Sequence, residues 1–334
     1  MTIREQLEQR EEEYLSPYAT LSSRSKGRKR PEAECDIRPV FQRDRDRILH
    51  CKAFRRLKQK TQVFLLPKGD HYRTRLTHTL EVSQNARTIA KALRLNEDLV
   101  EAMCLGHDLG HTPFGHAGER ALNGVCQNGF KHNEQSVRVV EVLEKQGEGL
   151  NLTWEVLDGI LNHQSRGNPS TPEGQIVRLS DKIAYINHDI DDAIRGGILT
   201  EEEIPKHLRD VLGTGTRARL NTLIHDVIIH SMDRPTICMS AEIEEAMFEL
   251  RKFMFQNVYQ NPIAKGEENK AVQMVERLYF YYEDHMELLP EQYQALLEKG
   301  DVPEQVVCDY IAGMTDNYAV KKFEEIFIPQ AWKN

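Results

Sequence analysis

The sequence predicts an all-α fold, and three observations support that prediction. Apolar residues recur at helical spacing along most of the 334 residues, as Val82, Ala86 and Ile89 do within residues 77–93. Strand signals are almost absent, because the short β-branched runs VIIH and VVCDYIAG are embedded in helical patterns. Hydrophobic residues make up 40% of the chain, which is sufficient for a substantial core.

Each helix is predicted from its apolar period and from the residues that begin and end it. Asn96 is the expected N-cap of one helix, which Gly106 and Gly110 end. Residues 111–119 and 165–174 are broken by glycine and proline and are predicted to be loops. About six helices are expected beyond residue 195. The helical segments predicted in this way are 1–15, 39–64, 77–93, 97–107, 133–145, 154–163, 175–195, 241–256, 268–283 and 303–314.

Composition excludes two classes of protein. The longest apolar run is far below the ~18 residues of a membrane span, and the charged N-terminus lacks the apolar core of a secretory signal. Six cysteines without a CxxC pair predict reduced thiols in a cytoplasmic protein. We therefore expect no membrane partner.

The charge balance argues against a nucleic-acid binder that is basic throughout. Forty-four basic and 52 acidic side chains give a formal net charge of −8. Two local stretches, 24–30 and 43–60, are nevertheless basic. The first stretch has two interpretations, a flexible solvated loop or a surface for polyanions. Its basic residues are Arg24, Lys26, Arg28, Lys29 and Arg30.

The strongest chemical signal is the dipeptide His107-Asp108 within GHDLGHTPFGHAGE. A histidine and a carboxylate at consecutive helical positions point about 100° apart, so both can address one ion only where the helix ends. The alternative is a core histidine satisfied by a neighbouring carboxylate. Burying so many titratable groups for packing alone would be costly, which favours a functional site.

His78 and Asp181 extend this dipeptide to two imidazoles and two carboxylates. Such a set suits Mn, Mg, Fe, Zn, Co or Ni rather than Cu(I). A divalent ion of this kind activates water and neutralises charge on a phosphoryl group.

The pattern His78, His107-Asp108 and Asp181 resembles that of the HD superfamily of metal-dependent phosphohydrolases. The motifs RLTHTLEV, HDLGHTPFGHAGE, KHNEQSVR, RLSDKIAYINHDIDD and GMTDNYA are similar to those of its dGTPase-like deoxynucleoside triphosphate triphosphohydrolases. The resemblance extends from about residue 17 to about residue 328. It implies an HD-domain helical bundle with additional C-terminal helices.

The resemblance also implies a domain organisation. We expect an N-terminal helix and basic flexible segment at 1–38, an HD core at 39–200, and a C-terminal helical part at 201–334. The last two are predicted to form one continuous domain.

By the same resemblance, one divalent metal ion would be held by His78, His107, Asp108 and Asp181. His116 would be the catalytic acid-base group, and Glu119 the carboxylate that orients it. Residues at i and i+3 of a helical turn can face each other, which suits this pair.

The remaining implied residues contact the substrate. Asp181, Tyr185 and Asp189 share one helix face by their i, i+4 and i+8 spacing. For that helix, the alternative is an exposed charged face without a ligand. For His111 and His132, the alternative is a role in packing or capping. The match of Gln62 depends on a short motif. The implied phosphate contacts are Arg75, His111, His132 and Lys182, and the implied deoxyribose contacts are Gln62, Tyr185 and Asp189.

The implied reaction is hydrolysis of dGTP or several dNTPs at the α-phosphorus, which gives a deoxynucleoside and inorganic tripolyphosphate. The resemblance also implies a homo-oligomer, with a nucleotide activator or single-stranded DNA as candidate ligands of the basic stretches. Two alternatives remain open. One is another HD phosphohydrolase that acts on nucleotide mono- or diesters, and the other is a nucleotide-sensing or nucleic-acid-binding module.

Overall fold

The computed structural model describes residues 1–62, 73–259 and 262–329, with side chains left undescribed at 262–266. Within these ranges the secondary structure is helical, and β-pairing is limited to the isolated bridges Arg28–Thr153 and Thr61–Thr74. The all-α prediction is confirmed. None of the helices in the described ranges combines the length and the apolar character needed to cross a membrane.

The chain divides into two compact units whose segments alternate along the sequence. The first unit comprises Met1–His50, Thr77–His107 and Leu150–Asn261. The second comprises Cys51–Leu76, Asp108–Gly149 and Pro262–Asn334. The division at residues 38 and 200 stays a prediction.

In the first unit, the helix Glu97–Gly106 is covered by three others, Val40–Leu49, Trp154–Asn162 and Pro172–Arg195. It begins where predicted, because the Asn96 side chain accepts a hydrogen bond from the Leu99 amide at 3.2 Å. A Cβ at Gly106 would lie 2.5 Å from Ile160 Cδ1, so glycine permits the close approach there. The α-helices of this unit are Ile3–Tyr14, Val40–Leu49, Arg75–Ala92 from Thr77 onward, Glu97–Gly106, Trp154–Asn162, Pro172–Arg195, Lys206–Leu212, Thr216–Ser231 and Ala241–Met254.

The predicted helix at 175–195 begins one turn earlier, at Pro172. Thr171 caps it by accepting a hydrogen bond from the Gly174 amide at 3.1 Å, and proline is favoured in the first turn because its missing N–H needs no partner there. The predicted helix at 241–256 ends at Met254 and continues as a π-helical turn, Phe255–Tyr259.

The basic stretch 24–30 is partly engaged within the first unit. Arg28 pairs with the buried Asp44 and donates to the Asn151 carbonyl at 2.7 Å. Lys26 lies 3.3 Å from the centre of the Trp154 ring. The side chains of Arg24, Lys26, Lys29 and Arg30 are exposed, as a polyanion surface would require.

The second unit has its own apolar core. The helix Pro262–Asp284 packs on Gly115–Val125, and the helices Pro303–Ala312 and Asp316–Phe327 pack on Pro262–Asp284. Val275, Leu278 and Ile311 are completely buried in that core. The α-helices of this unit are Lys52–Arg56, Gly115–Val125, His132–Arg138, Glu144–Gly147, Pro262–Asp284, Glu291–Glu298, Pro303–Ala312 and Asp316–Phe327.

Short helical turns complete both units. The predicted helix at 133–145 is continuous only over His132–Arg138. A π-helical turn follows, and the short helix Glu144–Gly147 contains left-handed conformations at Lys145 and Gln146. The segment 39–64 is split at His50 and Cys51, and its last two residues lie outside the described ranges. The 3₁₀ turns are Ser22–Arg24, Leu57–Gln59, Glu201–Glu203 and Met286–Leu288, and the π turns are Val139–Leu143 and Phe255–Tyr259.

Two predictions fail in the second unit. The loop prediction for residues 111–119 is wrong from Gly115 onward, because Pro113 precedes the helix and Gly115 and Gly118 lie within it without interrupting it. The prediction of reduced thiols is wrong for Cys126 and Cys308, which form a disulfide across 182 residues of sequence. Helix packing brings them together, and sequence spacing carries no sign of that.

Candidate metal and active site

In the first unit, two imidazoles face one carboxylate. His78 lies in the first turn of Arg75–Ala92, His107 caps the C-terminus of Glu97–Gly106, and Asp181 lies in the middle of Pro172–Arg195. The Asp181 Oδ1 atom lies 3.1 Å from His78 Nε2 and 3.8 Å from His107 Nε2. Two ligand atoms about 2.1 Å from one ion are about 3.0–3.4 Å apart. The His78–Asp181 distance lies in that range and the His107–Asp181 distance exceeds it, so a shared divalent ion would have to draw His107 and Asp181 closer together.

The other ring nitrogens of the two histidines have partners that fix their orientation. His107 Nδ1 lies 2.6 Å from the Cys104 carbonyl oxygen, and His78 Nδ1 lies 3.2 Å from His188 Nδ1. His188 Nε2 in turn lies 2.5 Å from Glu81 Oε2. Metal-binding histidines commonly have such outer partners, so this arrangement supports the fit. His188 was missed from the sequence, although its i+7 spacing from Asp181 places both on one helix face.

The carboxylate of Asp181 is electrostatically suited to bind a cation. Burial alone would raise its pKa, but the hydrogen bond from His78 and the charges of His107 and His163 outweigh burial and lower the pKa. The His163 ring lies edge-on to His107 with centroids 4.9 Å apart, and the motifs did not indicate it. Asp181 is therefore ionised at neutral pH, as a metal ligand must be.

Two turns beyond Asp181, the same helix carries an aromatic and acidic cluster. Asp189 is completely buried and accepts a hydrogen bond from the Tyr259 hydroxyl. The rings of Tyr185 and Tyr259 lie 6.2 Å apart. The alternative of an exposed charged face is therefore wrong at Asp189. Tyr259 was missed because it lies in a π-helical turn outside every recognised motif.

Lys182 lies half-buried beside Asp181 in a positively charged environment. Burial lowers its pKa, and the neighbouring charges of Arg178 and Arg251 lower it further. Three cations near one helix face are costly in isolation and favour a bound polyanion.

In the second unit, Asp108 follows His107 directly in the chain and is paired with an arginine. Arg75 Nη1 lies 2.7 Å from Asp108 Oδ2, and both side chains are buried. The ligand atoms of Asp108, His111 and His132 lie within 4.8 Å of one another. The rings of His111 and His132 are stacked with centroids 4.0 Å apart. Burial, followed by the charge of Arg75, holds the pKa of His111 well below its usual range.

The pair His116–Glu119 lies in the first turn of Gly115–Val125. His116 Nδ1 lies 3.2 Å from Glu119 Oε2, and the imidazole is 49% exposed. Glu119 Oε1 also accepts from the His132 amide at 2.9 Å and lies 2.8 Å from His132 Nδ1. Burial alone would raise the pKa of Glu119, but the hydrogen bonds to His116 and His132 outweigh it and lower the pKa. The carboxylate is thus ionised and joins two imidazoles.

Gln62 is buried in the second unit. Its Oε1 atom has no hydrogen-bond partner among the residues that the structure describes. A buried amide oxygen without a donor is costly, so this position fits a ligand hydroxyl.

Sequence comparisons assign the class of protein. The HD domain family matches residues 75–186, which include His78, His107, Asp108 and Asp181. The phosphohydrolase-associated domain family matches residues 237–325. HD domains bind a divalent metal, and the chain is a metal-dependent phosphohydrolase.

Full-length relatives assign the family more narrowly. A deoxyguanosinetriphosphate triphosphohydrolase-like protein of Caldanaerobacter subterraneus is 60% identical over 99% of this chain and 98% of its own length. One of Desulfatibacillum aliphaticivorans is 51% identical over 98% of this chain and 99% of its own. The chain belongs to this dGTPase-like family.

A solved structure is similar in fold alone. A phosphohydrolase from Bacteroides thetaiotaomicron aligns with a TM-score of 0.52 at 19% identity. The alignment covers 84% of this chain and 67% of that one.

Proposed function

We propose that this phosphohydrolase cleaves deoxynucleoside triphosphates, dGTP or several dNTPs, to deoxynucleoside and inorganic tripolyphosphate. The observation that carries the proposal is the order of groups along Pro172–Arg195. Asp181 is a carboxylate suited to a metal ion, and the cation Lys182 follows it directly. Two turns further along the helix, Asp189 is a buried carboxylate beside two tyrosines. That order matches a metal-bound phosphate followed by a sugar. The names of the relatives point to the same substrate class.

Four residues would hold the metal ion: His78, His107, Asp108 and Asp181. Because His107 and Asp108 are consecutive in the chain, one ion can draw on both. When bound, a divalent ion with these ligands supplies Lewis acidity and activates water near neutral pH. The donor set accepts Mn, Mg, Fe, Co, Ni or Zn.

The other groups would orient the triphosphate and move protons. Water adds to the α-phosphorus and gives up a proton, the bond from phosphorus to the 5′-oxygen breaks, and that oxygen takes a proton. His116 would supply the proton, because its imidazole is accessible and lies 3.2 Å from the Glu119 carboxylate that would orient it. Arg75, His111, His132 and Lys182 would face the phosphates, and Gln62, Tyr185 and Asp189 would face the deoxyribose.

The test is a panel of dNTPs, NTPs and nucleotide mono- and diesters with Mn, Mg or Co. Products are separated by chromatography into nucleoside, monophosphate, pyrophosphate and tripolyphosphate. We expect deoxynucleoside and tripolyphosphate from the wild type. Monophosphate with pyrophosphate, or hydrolysis of mono- or diesters alone, would favour another HD phosphohydrolase, and nucleotide binding without turnover would favour a sensor.

A pair of variants tests the metal assignment. Asp108→Asn should lose metal and activity together in elemental analysis and turnover assays. Asp301→Asn is the matched control, because it also neutralises a carboxylate that pairs with an arginine, Arg138, in the same unit, at a partly exposed position outside the proposed ligand set. A variant of Asp108 that retains stoichiometric metal would contradict the assignment.

We further expect a homo-oligomer, with the basic stretches 24–30 and 43–60 as candidate sites for a nucleotide activator or single-stranded DNA. Light scattering with and without dNTP, and titration with oligodeoxynucleotides, would test these expectations.

A further inference from the structure

The motif GMTDNYA has no direct role in the proposed reaction, yet its aspartate is buried and fully used. Asp316 lies in the first turn of Asp316–Phe327 and is 4% exposed. One carboxylate oxygen accepts hydrogen bonds from the amide and the hydroxyl of Thr61, the amide at 2.9 Å. The other accepts from the Phe114 amide at 2.9 Å. The carboxylate therefore joins two segments that are distant in sequence.

Lys60, next to Thr61, makes a parallel set of contacts. Its side-chain nitrogen Nζ donates to the carbonyl of His111 and, at 2.7 Å, to that of Ala312. The side chain is 2% exposed, so these contacts replace hydration. Lys60 and Asp316 thus hold the two ends of the loop of residues 111–114.

That loop determines where the helix Gly115–Val125 begins. Phe114 has a left-handed backbone conformation (φ 62°, ψ 24°), which is unfavourable for an aromatic residue and needs support from its surroundings. A Cβ at Gly118 would lie 2.0 Å from the Pro113 carbonyl oxygen, so the loop lies directly against the first turn of the helix. A shift of the loop therefore shifts His116 and Glu119.

We propose that Asp316 and Lys60 are positioning residues, which hold the loop of residues 111–114 and, through it, the His116–Glu119 pair. The role in catalysis rests on the proposed function. Neither side chain needs to touch the substrate for this role.

The decisive variant is Asp316→Asn. A carboxylate accepts all three hydrogen bonds, whereas the amide of asparagine has one acceptor oxygen and must direct its NH₂ group at another donor. Lys60→Met keeps the length of the side chain and removes every donor. Val306→Ala is the control for lost stability, because it deletes buried apolar atoms from the same unit, on Pro303–Ala312.

We expect Asp316→Asn and Lys60→Met to lower kcat by about 10–10²-fold, the effect of a small misplacement of reacting groups. Metal content should stay within about twofold of wild type, since neither residue nor the loop supplies a proposed metal ligand. KM should rise together with the fall in kcat, because the loop also carries His111, a proposed phosphate contact. Hydrogen–deuterium exchange at the Phe114 amide should accelerate in Asp316→Asn and not in Val306→Ala.

Two results would overturn the proposal. One is a kcat for Asp316→Asn within about twofold of wild type. The other is an equal fall in kcat in Val306→Ala at the same loss of Tm, since positioning would then be indistinguishable from stability. A wild type that is inactive on all dNTPs would contradict the proposed function instead. In that case unchanged exchange at Phe114 would still show that Asp316 does not hold the loop.

Discussion

The charge of Glu119 should determine how effectively His116 acts, and the isosteric change Glu119→Gln isolates that charge. The carboxylate lies 3.2 Å from His116 Nδ1 and 2.8 Å from His132 Nδ1. A hydrogen bond to a charged group contributes about 1.5–3 kcal/mol, and one between neutral groups about 0.5–1.5 kcal/mol. The difference at His116, about 1–1.5 kcal/mol, corresponds to about a tenfold lower kcat.

Steady-state kinetics on the substrate found by the nucleotide panel would measure this effect, with metal content determined in parallel. His116→Ala sets the scale, because loss of general acid-base catalysis typically costs about 10²–10⁴-fold in kcat. Glu119→Gln should lie between that variant and wild type. Equal kcat in wild type and Glu119→Gln, or an intact kcat in metal-loaded His116→Ala, would refute the assignment and make His111 or His132 the next candidate.

Three further predictions concern the sugar, the disulfide and the buried lysine. Wild type should prefer dGTP over GTP by about 10² or more in kcat/KM, and Tyr185→Ala should reduce that ratio; equal values in wild type would exclude Tyr185 as the discriminator. Reductant, or Cys126→Ser, should lower the free energy of unfolding by about 2–4 kcal/mol, and a Tm indifferent to reductant would argue against the disulfide to Cys308. Burial lowers the pKa of Lys60 to about 7 from an ordinary 10.5. Between these pH values Lys60 is protonated in the unfolded chain and largely neutral in the folded one. The free energy of unfolding should therefore rise with pH by up to about 1.4 kcal/mol per unit. Urea titrations at pH 7–9 should show a shallower rise in Lys60→Met.

Contacts within one helix were accessible from the sequence, because helical spacing determines which residues share a face. Asp181 and Asp189 lie on one helix, as predicted. The pair His116 and Glu119, 3.2 Å apart, was expected from the family resemblance instead, because residues 111–119 were predicted to be a loop. Contacts between segments were not accessible, since they depend on how helices pack. The second partner of Glu119, His132, is 13 residues away, and Tyr259 is 70 residues from Asp189.

Amino-acid composition also did not predict which cysteines are paired. Scattered cysteines suggested unpaired thiols, yet packing of Gly115–Val125 and Pro303–Ala312 in one core brings Cys126 to Cys308. The motif GMTDNYA was recognisable, but its carboxylate is explained only by the fold, which brings Thr61 and Phe114 to Asp316.

The separation of Thr61 and Asp316 by 255 residues also has a consequence for protein synthesis. Chains are made from the N-terminus, and domains generally fold in that order. The nascent chain therefore exposes the segment with His111 and His116 long before the ribosome reaches Asp316. Until that residue emerges, the left-handed turn at Phe114 lacks its acceptor, so a newly made chain should acquire turnover late and all at once.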